Sequence, residues 1–354
     1  MANINWHESM IQTFEFYTVD PYTWRDDKPI NDVTACTIYR EEEDETLGSA
    51  TIDCGTDLDE CYFRVYMKVI QNGTEFKIPL GTFIMQTPSS TFDGKVSSTT
   101  VDAYTPLIEL KESPPPIGYS LLKGTDIMTT AANICQEVMR APVVPAKSTE
   151  TLYSDFVSEL DDTWLTFIED LVKNAKYKLA LDEMGRVLFE PVVDIASLQP
   201  VKVFDDGNSS ILYPEISDDR DLYGIPNVVE VVHSTNSGYI YSRVVNDDPN
   251  SPISTVNRGR EIVFRESSPE VVGIPTQEYM DNYATQLLRN KSCLEHKITF
   301  SHGYYPVRLG DAVVLDYRKA GINNVTAKVV SQTIKCQTGC AVQTTAVYTT
   351  KLWR

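Results

Sequence analysis

Apolar and polar positions alternate with a period of two over most of residues 1–111. In CYFRVYMKVI (61–70), Phe63, Val65, Met67 and Val69 share one face, and Arg64 and Lys68 take the other. This pattern predicts a strand with one buried side. EFKIPLGTFIM follows after Gln71-Asn72-Gly73-Thr74. Asn-Gly between two such runs predicts a hairpin, because both central residues of a type I′ turn need positive φ. TLGSATID (46–53) and VSSTTVDAY (96–104) read as further strands. The acidic run Glu41-Glu42-Glu43-Asp44-Glu45 falls between strands and reads as a solvated loop tip or a partner-contact loop.

Ser113-Pro114-Pro115-Pro116 ends the alternation and sets a first boundary. Beyond it the period becomes helical. In 123–139, Ile127, Ala131, Ile134 and Val138 fall on one face, with Thr125 as the expected N-cap. In 161–177, Trp164, Ile168, Leu171 and Ala175 form a second stripe, and Asp161 and Asp162 suit the positive helix start. YKLALDEMGRVLFEP (177–191) reads as a hairpin turning at 182–185, with Leu179, Leu181, Val187 and Phe189 alternating. A second β-rich region begins near 206. Segments 225–234 and 239–246 read as strands around Asn236-Ser237-Gly238, and residues 247–275 are rich in Pro and Ser. A helix is predicted over 276–291, with Met280, Tyr283, Ala284, Leu287 and Leu288 on one side. Strands LEHKITFS, DAVVLDY, NVTAKVVSQTIKC and CAVQTTAVYTTKLW close the chain, with turns at Gly303, Gly321 and Gly339. In PVRLGDAVVLDY (306–317), Leu309-Gly310-Asp311 forms a tight turn in which the Asp311 carboxylate can accept from nearby backbone N–H groups. Val313 and Leu315 then face one side, and Val314 and Asp316 the other.

The expected organisation is mainly β with an α+β middle module. The parts are 1–112, 113–205 and 206–354, with 236–290 a candidate excursion packing on the middle part. No fixed-period repeat links the two β-rich parts.

Length and composition narrow the class. A chain of 354 residues, 42% hydrophobic and 23% charged, has the material for two or three cores and is not a disordered polymer. It holds no apolar run long enough to span a bilayer as a helix. Its N-terminus, MANINWHESMIQTFEF, does not read as a secretory signal. The formal charge of −19 argues against a surface built to grip nucleic acid, which needs clustered Lys and Arg. It is compatible with a surface that DNA slides past, or with solubility alone.

Candidate chemistry is sparse. The seven cysteines (36, 54, 61, 135, 293, 336 and 340) are odd in number and irregularly spaced, which fits buried thiols made in a reducing compartment. Cys336 and Cys340 lack a second pair at zinc spacing, and with Cys293 they fall short of the four thiolates of an iron–sulfur cluster. His7, His233, His296 and His302 occur in no metal-binding or nucleophile motif. His302 reads as a turn or strand-end residue, and His296 as a mid-strand residue opposite charged neighbours. No catalytic, cofactor-binding or metal-ligating residue is therefore assigned. Fifty acidic residues make any glycosidase pair an arbitrary choice. Tyr239/Tyr241 and Tyr304/Tyr305 could stack on sugars, but strand tyrosines more often serve packing or interfaces.

An ordered set of segments resembles the baseplate hub, or tail-hub, proteins of tailed bacteriophages and related contractile injection particles. The set comprises WRDDKPINDVTAC (24–36), LGSATID (47–53), IPLGTFIM (78–85), DDTWLTFIEDL (161–171), YKLALDEMGRVLF (177–189), IPNVVEV (225–231), LGDAVVLDY (309–317) and VVSQTIKC (329–336). No segment is specific alone; the order carries the likeness over nearly the whole chain. The resemblance implies two tube-like β-barrel domains bracketing a small α/β domain. It implies a homotrimer in which three chains present six similar units, adapting a sixfold tail tube to a threefold spike or tip. Its partners would be a hexameric tail tube or distal tail protein, a central spike or tip protein, and a tape-measure protein. DNA would pass through the lumen without adhering. The protein would act in the virion tail after synthesis in the host cytoplasm, with no enzymatic activity and no cofactor. The ending at Leu352-Trp353-Arg354 suggests that a separate spike, fibre or lysin chain follows. A tail-tip cell-wall hydrolase and a carbohydrate-binding attachment module are the competing readings.

Overall fold

A computed structural model describes every residue except 1–3, 56–58, 93, 96, 208, 209, 236, 237, 268, 270–275 and 354. The Asn236-Ser237 turn therefore lies outside the described residues. The first β-rich stretch contains β1 (Ile11–Val19), β2 (Asp26–Pro29), β3 (Val33–Glu41), β4 (Gly48–Cys54), β5 (Tyr62–Gln71), β6 (Thr74–Phe92) and β7 (Ser97–Tyr104). Next come α1 (Ile108–Glu112), β8 (Ser120–Leu121), α2 (Ile127–Val138), β9 (Phe156–Val157), α3 (Trp164–Lys173), β10 (Tyr177–Leu181) and β11 (Val187–Pro191). Then follow β12 (Pro200–Asp205), β13 (Leu212–Arg220), β14 (Val228–Thr235), β15 (Gly238–Val245), α4 (Thr255–Arg258), β16 (Val263–Ser267) and α5 (Gln277–Lys291). The last strands are β17 (Cys293–Gly303), β18 (Ala312–Tyr317), β19 (Ile322–Lys335) and β20 (Ala341–Lys351).

The chain divides into two compact units, residues 1–216 with 299–346, and residues 217–298 with 347–354. It passes between them within β13, β17 and β20. The fold is mainly β, as the alternation predicted. The expected closed barrels are a correction: among the described residues no sheet closes on itself. Instead, strands run in the order β13-β17-β20-β19-β3-β4-β7-β6-β5-β1-β2, with β12 joined through β18 to β19. The reason is one long-range pairing. β19 bonds antiparallel to β3, from Ser331↔Glu41 to Lys335↔Thr37, so strands from the two ends of the chain share a sheet.

In the first unit, Phe63, Val65, Met67 and Val69 are buried, as their alternation predicts. Their core also takes Ile38, Ile52, Leu80, Ile334 and Val342. Asn72 and Gly73 both have positive φ between β5 and β6, as the hairpin reading required. The Asp311 carboxylate accepts from the Arg308 N–H at 2.8 Å, and Gly310 has φ +84. β18 is buried on both faces, including Val313, Val314 and Leu315, and both its edges are paired, parallel with β12 and antiparallel with β19.

A separate core gathers α1, α2, α3 and the β10–β11 hairpin. The α2 N-cap is Asp126, not Thr125: its carboxylate accepts from the Thr129 N–H at 2.7 Å, and Thr125 Oγ1 bonds back to the Leu122 carbonyl. In α3, Thr163 caps the helix reciprocally with Thr166. Ile168, Leu171 and Ala175 are buried as expected, joined by Leu165, Phe167 and Val172. Trp164 is only partly buried, at the edge of that stripe, where it meets Tyr119 and Phe167 edge-on.

In the second unit, β14 pairs antiparallel with β15 and parallel with β16. Met280, Ala284 and Leu288 recur every four residues on α5 and bury against Val229 and Val231. The Thr276 hydroxyl caps α5 through the Tyr279 N–H.

Candidate functional site

The turn of the β10–β11 hairpin is seated by groups drawn from distant strands, all in the first unit. The Met184 carbonyl accepts from Trp24 Nε1 at 2.7 Å and Arg64 Nη2 at 3.2 Å. Thr82 Oγ1 donates to the Glu183 carbonyl. Arg308 grips the Glu183 carboxylate with two N–H groups, at 2.8 and 2.5 Å, and Arg40 stands 3.9 Å from the same carboxylate. Such paired geometry is the strong form of a charged hydrogen bond. Beside it, Glu42 is held between Lys178 and Lys328, at 2.8 and 2.6 Å. Burial raises the Glu42 carboxyl, but the two ammonium groups outweigh it and hold the carboxyl below its usual range. Glu42 is thus a clamp between β10 and β19, a correction to its reading as part of a solvated loop tip.

A cavity of about 310 Å³ opens along this seam, lined by Arg40, Leu80, Phe83, Lys178, Leu181 and Arg308 among others. Arg40, Lys178 and Arg308 along its wall already pair with carboxylates or carbonyls of the chain. The seam fastens one element to another, and these three cations are satisfied by the chain itself.

In the second unit, His296 does meet a charged neighbour. Its Nδ1 lies 3.0 Å from Asp218 Oδ1, and its Nε2 lies 3.1 Å from Thr350 Oγ1. Tyr348 stacks on the ring at 4.3 Å and reaches the Nδ1 side with its hydroxyl. Carboxylate, imidazole and hydroxyl follow the order of a nucleophile triad. Here, however, the carboxylate and Tyr348 compete for one nitrogen, the Tyr348 ring covers one face, and His296 is buried. The group ties β13, β17 and β20 together. The sequence pattern sets His296 mid-strand near charge but does not name Asp218, Tyr348 or Thr350 as its partners, because they lie on two other, distant strands.

His302 is buried at the end of β17, between Phe204 and Phe300. Its Nδ1 faces the Gly303 carbonyl at 2.6 Å, so Nδ1 carries the proton and Nε2 accepts from Thr344 Oγ1 at 2.8 Å. Burial pushes its pKa down to about 4. Tyr304 is buried in the first core and packs on Trp6, and Tyr305 lies beside Trp6 and Lys202, so neither offers a free sugar platform. Tyr239 and Tyr241 are exposed on β15. Cys36, Cys336 and Cys340 are buried free thiols, with the last two pushed up well beyond the ordinary thiol range. Among the described residues no group of three or more His, Cys, Asp or Glu is placed to hold a metal, and no helix is long and apolar enough to cross a membrane.

What remains open is edge and surface. Among the described residues β12 pairs only with β18, with Val201 and Val203 exposed along it, and the main strand order ends at β13 and β2. Unpaired strand edges are templates for further strands.

No protein-family model matches the chain, and no curated protein matches it. Solved structures do. A tail protein from Neisseria meningitidis MC58 aligns over 95% of this chain and 96% of its own, at 11% identity and TM-score 0.63. The 43 kDa tail protein of prophage MuSo2 from Shewanella oneidensis aligns over 96% and 98%, at 13% identity and TM-score 0.62. The chain has the fold of these tail proteins. Prophage tail protein gp18 from Listeria monocytogenes EGD-e aligns over 94% of both chains, at 14% identity and TM-score 0.50. The likeness is end to end, so the fold is shared as a whole rather than through one module.

Proposed function

We propose that this chain is a structural protein of a bacteriophage tail, a homotrimeric hub in the baseplate or tail tip. The observation that carries the reading is the end-to-end likeness to two tail proteins, over 95% and 96% of this chain. In this reading the β-rich segments 1–112 and 206–354 supply two like-shaped modules per chain, and 113–205 the middle module. Three copies then offer six positions to a hexameric tail tube or distal tail protein, and a threefold seat to a spike or tip protein. The end strands β13 and β2 and the β12 branch suit such a ring, because a neighbouring copy would cover their edges. The acidic balance suits a lumen through which a tape-measure protein and DNA pass without sticking. The reading gives the chain no catalytic step; the paired charges of the hairpin seam and the His296 group serve to hold strands.

Native mass spectrometry of the purified chain, with electron microscopy of isolated tails, tests this. A trimer that appears as a ring between tube and tip is expected. A chain that stays monomeric at every concentration and is missing from tails would end the proposal. Turnover of purified peptidoglycan that disappears in Thr350→Ala would replace it with an enzymatic one.

A further inference from the structure

Two thiols from opposite ends of the chain meet where β3 pairs with β19. Lys335 stands opposite Thr37 as the last pair of that antiparallel ladder. The next residue on each side is a cysteine. The Cys336 N–H donates to the Cys36 carbonyl at 2.9 Å, so the register runs on by one residue and sets Cys336 opposite Cys36. Directly opposite residues of an antiparallel pair project to the same side of the sheet, and a hydrogen-bonded pair holds its Cα atoms about 5.5 Å apart. Disulfides commonly span about that distance. The side chains are neighbours as well: the Cys36 thiol, with burial, pushes the Cys336 thiol above its ordinary range. Both lie in the first core, together with Cys340.

A small oxidant has a way in. Cys336 is 9% exposed, against 5% for Cys36 and 0% for Cys340, and Gln337, Thr338 and Gly339 after it form an exposed turn. The Arg40 guanidinium favours the Cys336 thiolate, against burial and the neighbouring thiol. We propose that Cys36 and Cys336 are an oxidation site, which hydrogen peroxide converts into an intrachain disulfide that fastens β3 to the end of β19. The Cys336 thiolate attacks one peroxide oxygen. The O–O bond breaks, the sulfur becomes a sulfenic acid, and one water leaves with the thiol's proton. The Cys36 sulfur then attacks the sulfenic sulfur. The S–S bond forms, the S–O bond breaks, and a second water carries off the Cys36 proton. Two thiols and one peroxide thus give one disulfide and two waters. Burial makes the first step slow, and thiol reductants reverse the outcome, so the link accumulates only where they are absent. It would enclose residues 37–335 in one covalent loop, and the closure of long loops stabilises most. The pairing it would lock is the one that joins strands from the two ends of the chain in one sheet. The inference concerns the single chain and stands whether or not the tail reading holds.

The test uses the full-length chain, reduced, freed of reductant and held in hydrogen peroxide. The remaining thiols are then alkylated, and peptides are mapped by mass without reduction. Cys36 should be found joined to Cys336, and the melting temperature should rise by roughly 5 °C. Dithiothreitol should reverse both changes. Cys36→Ser should remove the link and the rise, whereas Cys340→Ser should keep them, with circular dichroism to show that each variant folds. The map of the unaltered chain decides the site even where a variant does not fold. A Cys336–Cys340 link would move the chemistry into the turn after β19 and overturn the proposal. Sulfinic acid at Cys336 without a cross-link would overturn it too, as would oxidation confined to the partly exposed Cys61 and Cys293. A link that lowers the melting temperature would show that the strands must distort to form it, against a site built into the pairing.

Discussion

Arg64 carries a full charge inside the sheet at 1% side-chain exposure. Its Nε donates to Thr82 at 2.8 Å, its Nη1 to Asp26 at 2.7 Å, and its Nη2 to the Met184 carbonyl. A guanidinium that satisfies three elements at once is costly to remove, because its former partners keep their desolvation without the compensation. Arg64→Ala should cost about 3 kcal/mol in urea unfolding. A loss near zero would mean that the partners find water. His302 makes a pH prediction. Burial depresses its folded pKa to about 4, and an unfolded histidine titrates near 6.5. Above pH ~6.5 the ring is neutral in both states, and its contribution to stability is intact. As pH falls towards 4 the unfolded chain takes the proton first, so stability drops, by roughly 3 kcal/mol, and then levels off. The difference in unfolding free energy between wild type and His302→Gln, followed from pH 7 to pH 4, should show that slope. Parallel profiles would remove His302 as its source.

At the scale of elements, the hairpin β10–β11 depends on its turn glycine in a way the hairpin β5–β6 does not. Gly185 has φ +72, and a Cβ there would lie 2.8 Å from the Thr82 Cβ and 3.1 Å from the Trp24 ring. Gly73 has φ +77 but open space around it. Gly73→Ala should therefore cost only the left-handed strain, about 1 kcal/mol. Gly185→Ala should cost about 3 kcal/mol, because it adds a clash against the sheet on which the turn sits. Equal losses in thermal or urea unfolding would show that the seat gives way without penalty. The same contrast explains what was legible in the sequence. The Asn72-Gly73 turn, the Asp311 turn and the α5 stripe are encoded within a few residues, and the structure shows each of them. The burial of Arg64, the Glu42 clamp and the Asp218–His296–Thr350 group are set by residues from distant strands, and local alternation cannot place them. Thr125 misled because two adjacent residues, Thr125 and Asp126, can both cap, and the geometry selected the carboxylate. The closed barrels failed for a similar reason: the pairing of β3 with β19 is a choice of partner, and a strand's own pattern does not name its partner.

For the whole molecule, the fold survives at 11% identity to a tail protein, so it is held by pattern and by a few long-range pairings rather than by particular residues. Charge is the property that three copies would have to accommodate. Internally, Glu42 and Glu183 are matched by Lys178, Lys328 and Arg308, yet each chain still carries −19. Bringing like-charged chains together is opposed over about 30 Å in 0.01 M salt and over only about 8 Å near 0.15 M. The proposed trimer should therefore tighten as salt rises through that range, measured by sedimentation velocity at fixed protein concentration. If trimer formation instead weakens with salt, ion pairs between copies outweigh the net repulsion, and the interface lies on a surface where the remaining lysines and arginines face a neighbour's carboxylates.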